Sequence, residues 1–494
     1  ARNKRSGASG LMQVMPSTGR YFKCGNLLNL RSNLDCGARI LKRYIKYFKG
    51  ETGKLHYASP KFAEYFEKQY AGFSDNWCMP VAQAPAERMN LLGLRPYGRT
   101  TGVDRDLERA WLTNDGDAGS SEAFLLFGVA ARSFSLVHPA NSPDGMPRLT
   151  WEHPDSAIVD TDPETGIDRA GLVAWADDKM DYATLYDGAD QVFKFKRKTG
   201  RDRHERNGAA PDLTGGWELR NPEVEVETNP LGEMPLTELR NQTLLDDEPV
   251  SDIDGVMGLQ DTANLIWAYL LNALDQASLP ARVVTGAELP KVPILAKDGT
   301  IAGYREVELD ELIKERILWI PSKDAKIEEW TAAALDVFSK VIEQIVEHIA
   351  AQTRTPPHYL VAKMVNTAAE SLNIAEAGLV SKTMERITYA GRGLKKTKRL
   401  MAKSMGANER RITAINAGKL IWANVQYRSD AQMADVATKL RGAGFPMEYI
   451  AEKLVTDPAE VSRIMKMIQV EQQNDPLVAA QRAMQTGMSN GIGA

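Results

Sequence analysis

From residue 251 to residue 405 the sequence sets out helix, β-rich insert, helix, proline loop and long helix, an order that few compact folds can absorb. In the segment SDIDGVMGLQDTANLIWAYLLNALDQAS (251–278), Leu259, Ala263, Ile266, Leu270 and Leu274 recur at helical spacing, and Pro280 ends the pattern. The stretch from ARVVTG to RILWIP carries short strand-like runs between turn residues. A second helix is predicted over 334–353 (ALDVFSKVIEQIVEHIAAQT), broken by TPP at 355–357. Residues 368–405 then read as one long helix, with Gly378, Gly391 and Gly393 as its chief interruptions and a kink expected among them. Helices of about 20 residues span about 30 Å, enough to line a channel through a thick assembly.

Upstream, RILKRYIKYF (39–48) has the spacing of a short amphipathic helix, FAEYFEKQYAGF after Pro60 gives another, and a third is expected from Pro85 to Leu92. Between 104 and 241 the helical runs DLERAWL and SSEAFLLFGVAARSF give way to SLVHP, AIVDTD, GLVAWADD, YATLYD and QVFKFKRK, which read as strands of an antiparallel sheet. Turns are marked by DPETG at 162–166 and NPLGEMP at 229–235. Shorter helices are expected over 430–470, with TDPAEV as a start signal, and a polar tail over 471–494. The fold class that results is α+β, mainly α.

Charge limits the function. The chain of 494 residues has a net charge of −4, whereas a protein that grips nucleic acid through its phosphates carries a basic face. No apolar run approaches the ~20 residues needed to cross a bilayer, so no membrane partner is expected. The opening run ARNKRSGASG has no apolar segment behind it and does not read as a signal peptide. Cys24, Cys36 and Cys78 are odd in number and form no CxxC pair, so free thiols and no zinc site are expected.

Chemical motifs are sparse. No GxxxxGK[ST], GxSxG or GxGxxG is present, so no nucleotide hydrolysis by this chain and no cofactor are expected. His56, His138, His153, His204, His348 and His358 lack metal-ligand spacing and read as structural. Asp160 and Asp162 depart from the EF-hand register and read as a capped turn. Trp267, Tyr269, Trp319 and Trp330 read as packing residues, since duplex DNA offers no splayed bases for stacking. The basic cluster Arg392, Lys395, Lys396, Lys398, Arg399 and Lys403 spreads around a helix axis; a solvated or intersubunit face is the first reading and DNA contact the second. Glu343 and Glu347, four apart, fit an acidic channel ring or an ordinary exposed pair.

Several segments, in order, resemble the portal proteins of long-tailed phages, in particular those of actinobacteria. They are YFKGETGKLHYASPKF, DNWCMPVAQAPAERMNLLGLR, DTDPETG, NPLGEMPLTELRN, GLQDTANLIWAYLLNALDQASLPARVV and RTPPHYLV, and the likeness extends over about residues 39–475. The resemblance implies a wing over 39–250, a first stem helix over 251–279, a clip over 280–330, a second stem helix over 331–352 and a tunnel loop over 353–369. A long wing helix with a return strand over 370–429, crown helices over 430–470 and a flexible tail over 471–494 complete the layout. It implies a homo-oligomeric ring, typically a dodecamer, at one capsid vertex of the virion, assembled in the host cytoplasm. Double-stranded DNA would pass through it, and large terminase, head–tail adaptor, major capsid protein and scaffold protein would be partners. Arg354, His358, Lys363 and Asn366 would belong to the DNA-facing tunnel loop, and Lys340, Glu343 and Glu347 would line the stem. Sparse cationic contacts suit such a conduit, because strong counterion-releasing contacts would slow sliding.

Residues 6–48 resemble something different, the second half of the catalytic domain of lytic transglycosylases. GLMQVMP (10–16) would shape a glycan cleft with Gln13 on the sugar, and NLDCGARIL (33–41) would start the supporting helix, within a fragment bounded at residue 38. That chemistry needs a general-acid glutamate, which in the family precedes this motif. The first acidic residues here are Asp35 and Glu51, neither in the matching place, so no catalysis is expected. The alternative to a portal is a virion-associated peptidoglycan lytic transglycosylase with a large accessory domain.

Overall fold

The computed structural model describes residues 24, 30–50, 55, 58–70, 73–100, 102–140, 145–162, 164–177, 179–198, 216–243, 248–278, 282–285, 291–295, 300–306, 317–320, 326–329, 334–360, 369–426, 430–455 and 458–474. The chain forms two compact units, one from 1–49, 79–254 and 353–494, the other from 50–78 and 255–352.

The larger unit is built on antiparallel sheets and one long helix. A three-stranded sheet has Arg132–His138 between Leu236–Arg240 and Arg148–Glu152. A six-stranded sheet takes Ala157–Thr161, Asp168–Ala176, Met180–Asp187, Gln191–Lys198 and Glu218–Leu219 in order, with Glu227–Thr228 also paired to Gln191–Lys198. The turn DPETG forms the first hairpin of this sheet as its residues require. The Asp162 carboxylate accepts from the amides of Glu164 (2.8 Å) and Thr165 (3.3 Å), and Gly166 supplies φ +71°. Those amide donors hold the Asp162 carboxyl below its usual range. Asp160 is taken by Arg169 at 3.1 Å through both oxygens, so the pair of aspartates is a capped turn and a cross-strand ion pair.

The helix Ala369–Ser404 runs 36 residues and packs on Leu236–Arg240. Its Leu394, Leu400 and Met401 share a buried core with Trp111, Phe124, Phe127 and Leu239. The helix runs through Gly378, Gly391 and Gly393, and Gly393 serves a close approach. A Cβ on Gly393 would stand 2.9 Å from the Glu238 carbonyl oxygen, so only glycine lets the helix sit this near the strand. A buried bond between the Ser135 and Thr397 hydroxyls (2.7 Å) fixes the helix in rotation on the sheet. Three shorter helices, Asp430–Gly442, Met447–Leu454 and Pro458–Asn474, follow where they were expected.

The smaller unit contains the helices Pro60–Gln69, Met257–Ser278 and most of Leu335–Thr353. Between the latter two lie a three-stranded sheet, Ile317–Ile320, Arg282–Thr285 and Lys326–Glu329, and the hairpin Lys291–Leu295/Ile301–Glu306. Trp267 donates to Asp75 (2.7 Å) and meets Phe73 edge-on at 5.8 Å, and Tyr269 packs on Phe62 at 5.1 Å, so both aromatics pack within the unit. Trp319 lies on a strand, while Trp330 is outside the described residues.

Four expectations are corrected. Cys24 and Cys36 are not free thiols: they form a disulfide, their Cα atoms 5.6 Å apart. The physical reason is the helix Leu30–Lys49, which turns Cys36 and Ile40 inward onto Cys24; this helix is also longer than the 39–48 pattern implied. Cys78 is free and buried, and burial pushes its thiol up to about 12. The helix placed at Pro85–Leu92 is instead Cys78–Ala86, with Pro85 in its last turn, followed by the strand Leu91–Arg95. That strand pairs antiparallel with Lys419–Trp422, a partner more than 300 residues away that no local pattern reveals. The first long helix begins at Met257 after a 3₁₀ turn at Asp254–Val256, because Ser251 and Asp252 are held by Gly128 and Val129.

Candidate DNA-channel site

The segment Thr353–Leu360 and the helix Ala369–Ser404 flank residues 361–368, and a set of ion pairs fastens both flanks. Arg354 follows the helix Leu335–Thr353 with φ +55°, a left-handed conformation unusual for a side-chain-bearing residue. Its guanidinium meets the Glu385 carboxylate fork to fork, at 3.0 and 2.8 Å. That hydrogen-bonded pair raises the Arg354 pKa and lowers that of Glu385. Gly378 lies against Arg354, where a Cβ would be 3.5 Å from its carbonyl oxygen and Cβ.

The TPP sequence then starts the short helix Pro357–Leu360. His358 Nε2 stands 3.7 Å from Glu376, whose carboxylate also receives Arg88 at 3.2 Å. Arg88 donates to the Tyr359 hydroxyl and to the Val425 carbonyl (3.3 Å) and lies over the Tyr359 ring, 5.6 Å from its centroid. One arginine thus ties together the segment before residues 361–368, the helix after them, and the strand region beyond.

A buried cluster lies one helical turn further on. Asp252 receives Arg386 at 2.5 Å and Asn241 at 3.1 Å, and the Lys382 ammonium is 3.8 Å from its other oxygen. Burial lowers the Lys382 pKa, partly offset by Asp252. Asp252 and Arg354 each lie within two residues of a point where the chain passes between the compact units, at 254/255 and 352/353.

The remaining expected site residues separate by burial. Lys363 and Asn366 lie outside the described residues, as do Gly10–Pro16 including Gln13 and the tail after 474. Lys340, Glu343 and Glu347 are exposed along Leu335–Thr353. Of the basic cluster, Arg392 is exposed and Lys395 half-buried. Lys396 pairs with Asp168, while Arg399 and Lys403 both meet Glu233. Lys398 is fully buried, its ammonium 3.5 Å from the centroid of Trp111. Much of the cluster therefore fastens the long helix to its own unit. The reading by residue type missed Arg88, Asp252, Glu376, Lys382, Glu385 and Arg386. The available signal was Lys382 and Arg386, spaced four apart among the apolar residues of LVSKTMERI, where a solvated charge does not belong.

Among the described residues no group of His, Cys, Asp and Glu is placed to hold a metal ion, and no helix is long and apolar enough to cross a membrane. The site is a set of charged contacts on a helix–strand scaffold, gathered at the described residues on either side of 361–368.

Comparison with known proteins gives this arrangement its class. The family model described as phage portal protein, SPP1 Gp6-like, matches residues 96–474, and the chain belongs to that family of phage portal proteins. The portal proteins of Mycobacterium phages D29 and L5 are each 25% identical to it, over 377 and 369 residues, 73% of this chain and 70% of theirs. A solved structure, the neck of a native gene transfer agent particle computed with C12 symmetry, matches at TM-score 0.42 and 14% identity, covering 84% of this chain and 99% of that one. Separately, the transglycosylase SLT domain model matches residues 1–59. The protein therefore has a phage portal function, and the lytic-enzyme alternative is not favoured.

Proposed function

We propose that about twelve copies of this chain close into a ring at one capsid vertex, and that double-stranded DNA is packaged and ejected through its centre. In this reading Met257–Ser278 and Leu335–Thr353 are the stem helices, the strands between them the clip, and residues 353–369 the tunnel loop. The helices between 430 and 474 form the crown. Lys340, Glu343 and Glu347 line the stem; Arg392 and Lys395 remain available to phosphates.

The observation that carries the proposal is the set of contacts that joins the described residues on either side of 361–368. Arg354 pairs with Glu385 fork to fork, and Arg88 joins Tyr359, by a hydrogen bond, to Glu376, by an ion pair. A chain with net charge −4 whose Lys396, Arg399 and Lys403 are engaged internally suits a conduit that DNA slides through. Large terminase, head–tail adaptor, major capsid protein and scaffold protein are the partners of such a ring, with terminase supplying the ATPase.

Replacing Lys363 with alanine tests the assignment. The expected result is loss of DNA packaging or retention with rings intact; failure of rings to form would move residues 361–368 out of the lumen.

A further inference from the structure

The larger unit contains a groove that the portal reading leaves without a role. Its volume is 1410 Å³, above the roughly 300–1,000 Å³ of small-molecule sites and suited to a polypeptide segment. One wall is the helix Arg105–Thr113, which presents Arg105, Arg109 and Leu112 at helical spacing. The other is the helix Pro458–Asn474, presenting Val461, Met465 and Lys466. Leu92, Ile421 and Trp422 form an apolar floor. In a chain of net charge −4 this lining carries six arginines and lysines against three glutamates. Two of the latter act locally or are already engaged: Glu452 accepts from Arg95 (3.0 Å), and Glu108 has partners of its own. The guanidinium groups of Arg105 and Arg109, by contrast, have no partner among the described residues, and Leu112 is 56% exposed. The walls are thus cationic and apolar together, and unsatisfied on both counts.

The same chain offers the complement. Residues 223–227 read Glu-Val-Glu-Val-Glu and lie just before and within the short strand Glu227–Thr228, at the margin of the six-stranded sheet. Val224 and Val226 are 44% and 42% exposed. The carboxylates of Glu223 and Glu225 are exposed and have no partner among the described residues, while Glu227 is held by Lys194. The segment passes through a turn at 222–223, closed by the Val224 amide on the Asn221 carbonyl (3.2 Å), and a bend at 225 before the strand, so exposed carboxylates and valines sit side by side on one surface excursion. This matches a groove whose walls carry both chemistries.

We propose that the groove receives residues 223–227 of a second copy of this chain, as a head-to-tail contact repeated around the ring. A contact between two different patches, passed from one copy to the next, is the kind that closes a ring, whereas a self-matching patch would stop at a dimer. The proposal rests on the portal reading, because it presupposes that the chain assembles.

Charge exchange tests it. Three variants are compared with the parent chain at one concentration by light scattering and negative-stain imaging: Arg105→Glu with Arg109→Glu, Glu223→Lys with Glu225→Lys, and all four together. These side chains are exposed, so folding is retained, and thermal unfolding checks that it is. Each single-sided reversal is expected to cut the assembled fraction about tenfold or more, with the fourfold variant restoring it. If the parent forms rings and either one-sided reversal leaves them intact, the groove is not this interface and the portal reading stands. If both reversals abolish rings but their combination fails to restore them, the two surfaces do not meet and the pairing is overturned. If the parent itself forms no ring, the portal reading fails and this inference with it.

Discussion

At the scale of single residues, the larger unit depends on charges placed where water cannot reach. Arg386 and Asp252 are almost wholly buried, and removing one partner of such a pair leaves the other uncompensated. Asp252→Ala is therefore expected to destabilise the unit by about 3–5 kcal/mol, measurable by denaturant unfolding. Arg354 and Glu385 are over a third exposed, so Glu385→Gln should cost about 1 kcal/mol or less while loosening the backbone at Arg354. Lys398 gives a pH signature. Burial beside Trp111 lowers its pKa to about 7, against about 10.4 in an unfolded chain. Between those values the unfolded state binds more protons than the folded one, so stability rises with pH by up to about 1.4 kcal/mol per unit. Lys398→Met should remove that rise, and urea midpoints of the two proteins at pH 7 and 9 would show it. Equal pH dependence would mean the ammonium is not held as described.

At the scale of elements, the sequence pattern exposed what was periodic and hid what was paired. The helices over 251–278 and 334–353 and the long helix over 368–405 were legible because their apolar spacing is local, and so was the hairpin after Asp162, because Asp162 caps its turn and Gly166 supplies the positive φ. The strand Leu91–Arg95 was not, since its partner at Lys419–Trp422 comes from the far end of the chain. Nor was the Cys24–Cys36 bond, which depends on which way the helix Leu30–Lys49 turns. The close approach that Gly393 makes was not legible either. Gly393 is where the helix meets Leu236–Arg240, and Gly393→Ala should destabilise by about 1–3 kcal/mol through backbone overlap with Glu238. The same helix misled in its charges: Lys396, Arg399 and Lys403 resemble a basic surface in sequence, yet in the fold they clasp Asp168 and Glu233. Of the proposed site, the TPP breaker marks where the helix Leu335–Thr353 ends and the short helix Pro357–Leu360 begins. The partners Glu376, Glu385 and Asp252 were not legible, because ordinary acidic residues carry no pattern that marks them.

At the scale of the whole molecule, membership of the portal family rests on the match over residues 96–474, and closure into a ring is the claim on which the mechanism stands. A net-acidic chain whose long helix has Lys396, Arg399 and Lys403 paired within its own unit fits the proposal that copies surround DNA without gripping it. The most direct measurement is imaging of the purified chain in solution, with mass determined in parallel. The account predicts a closed ring of about twelve subunits around an open centre. A stable monomer at concentrations where portal rings assemble would contradict it.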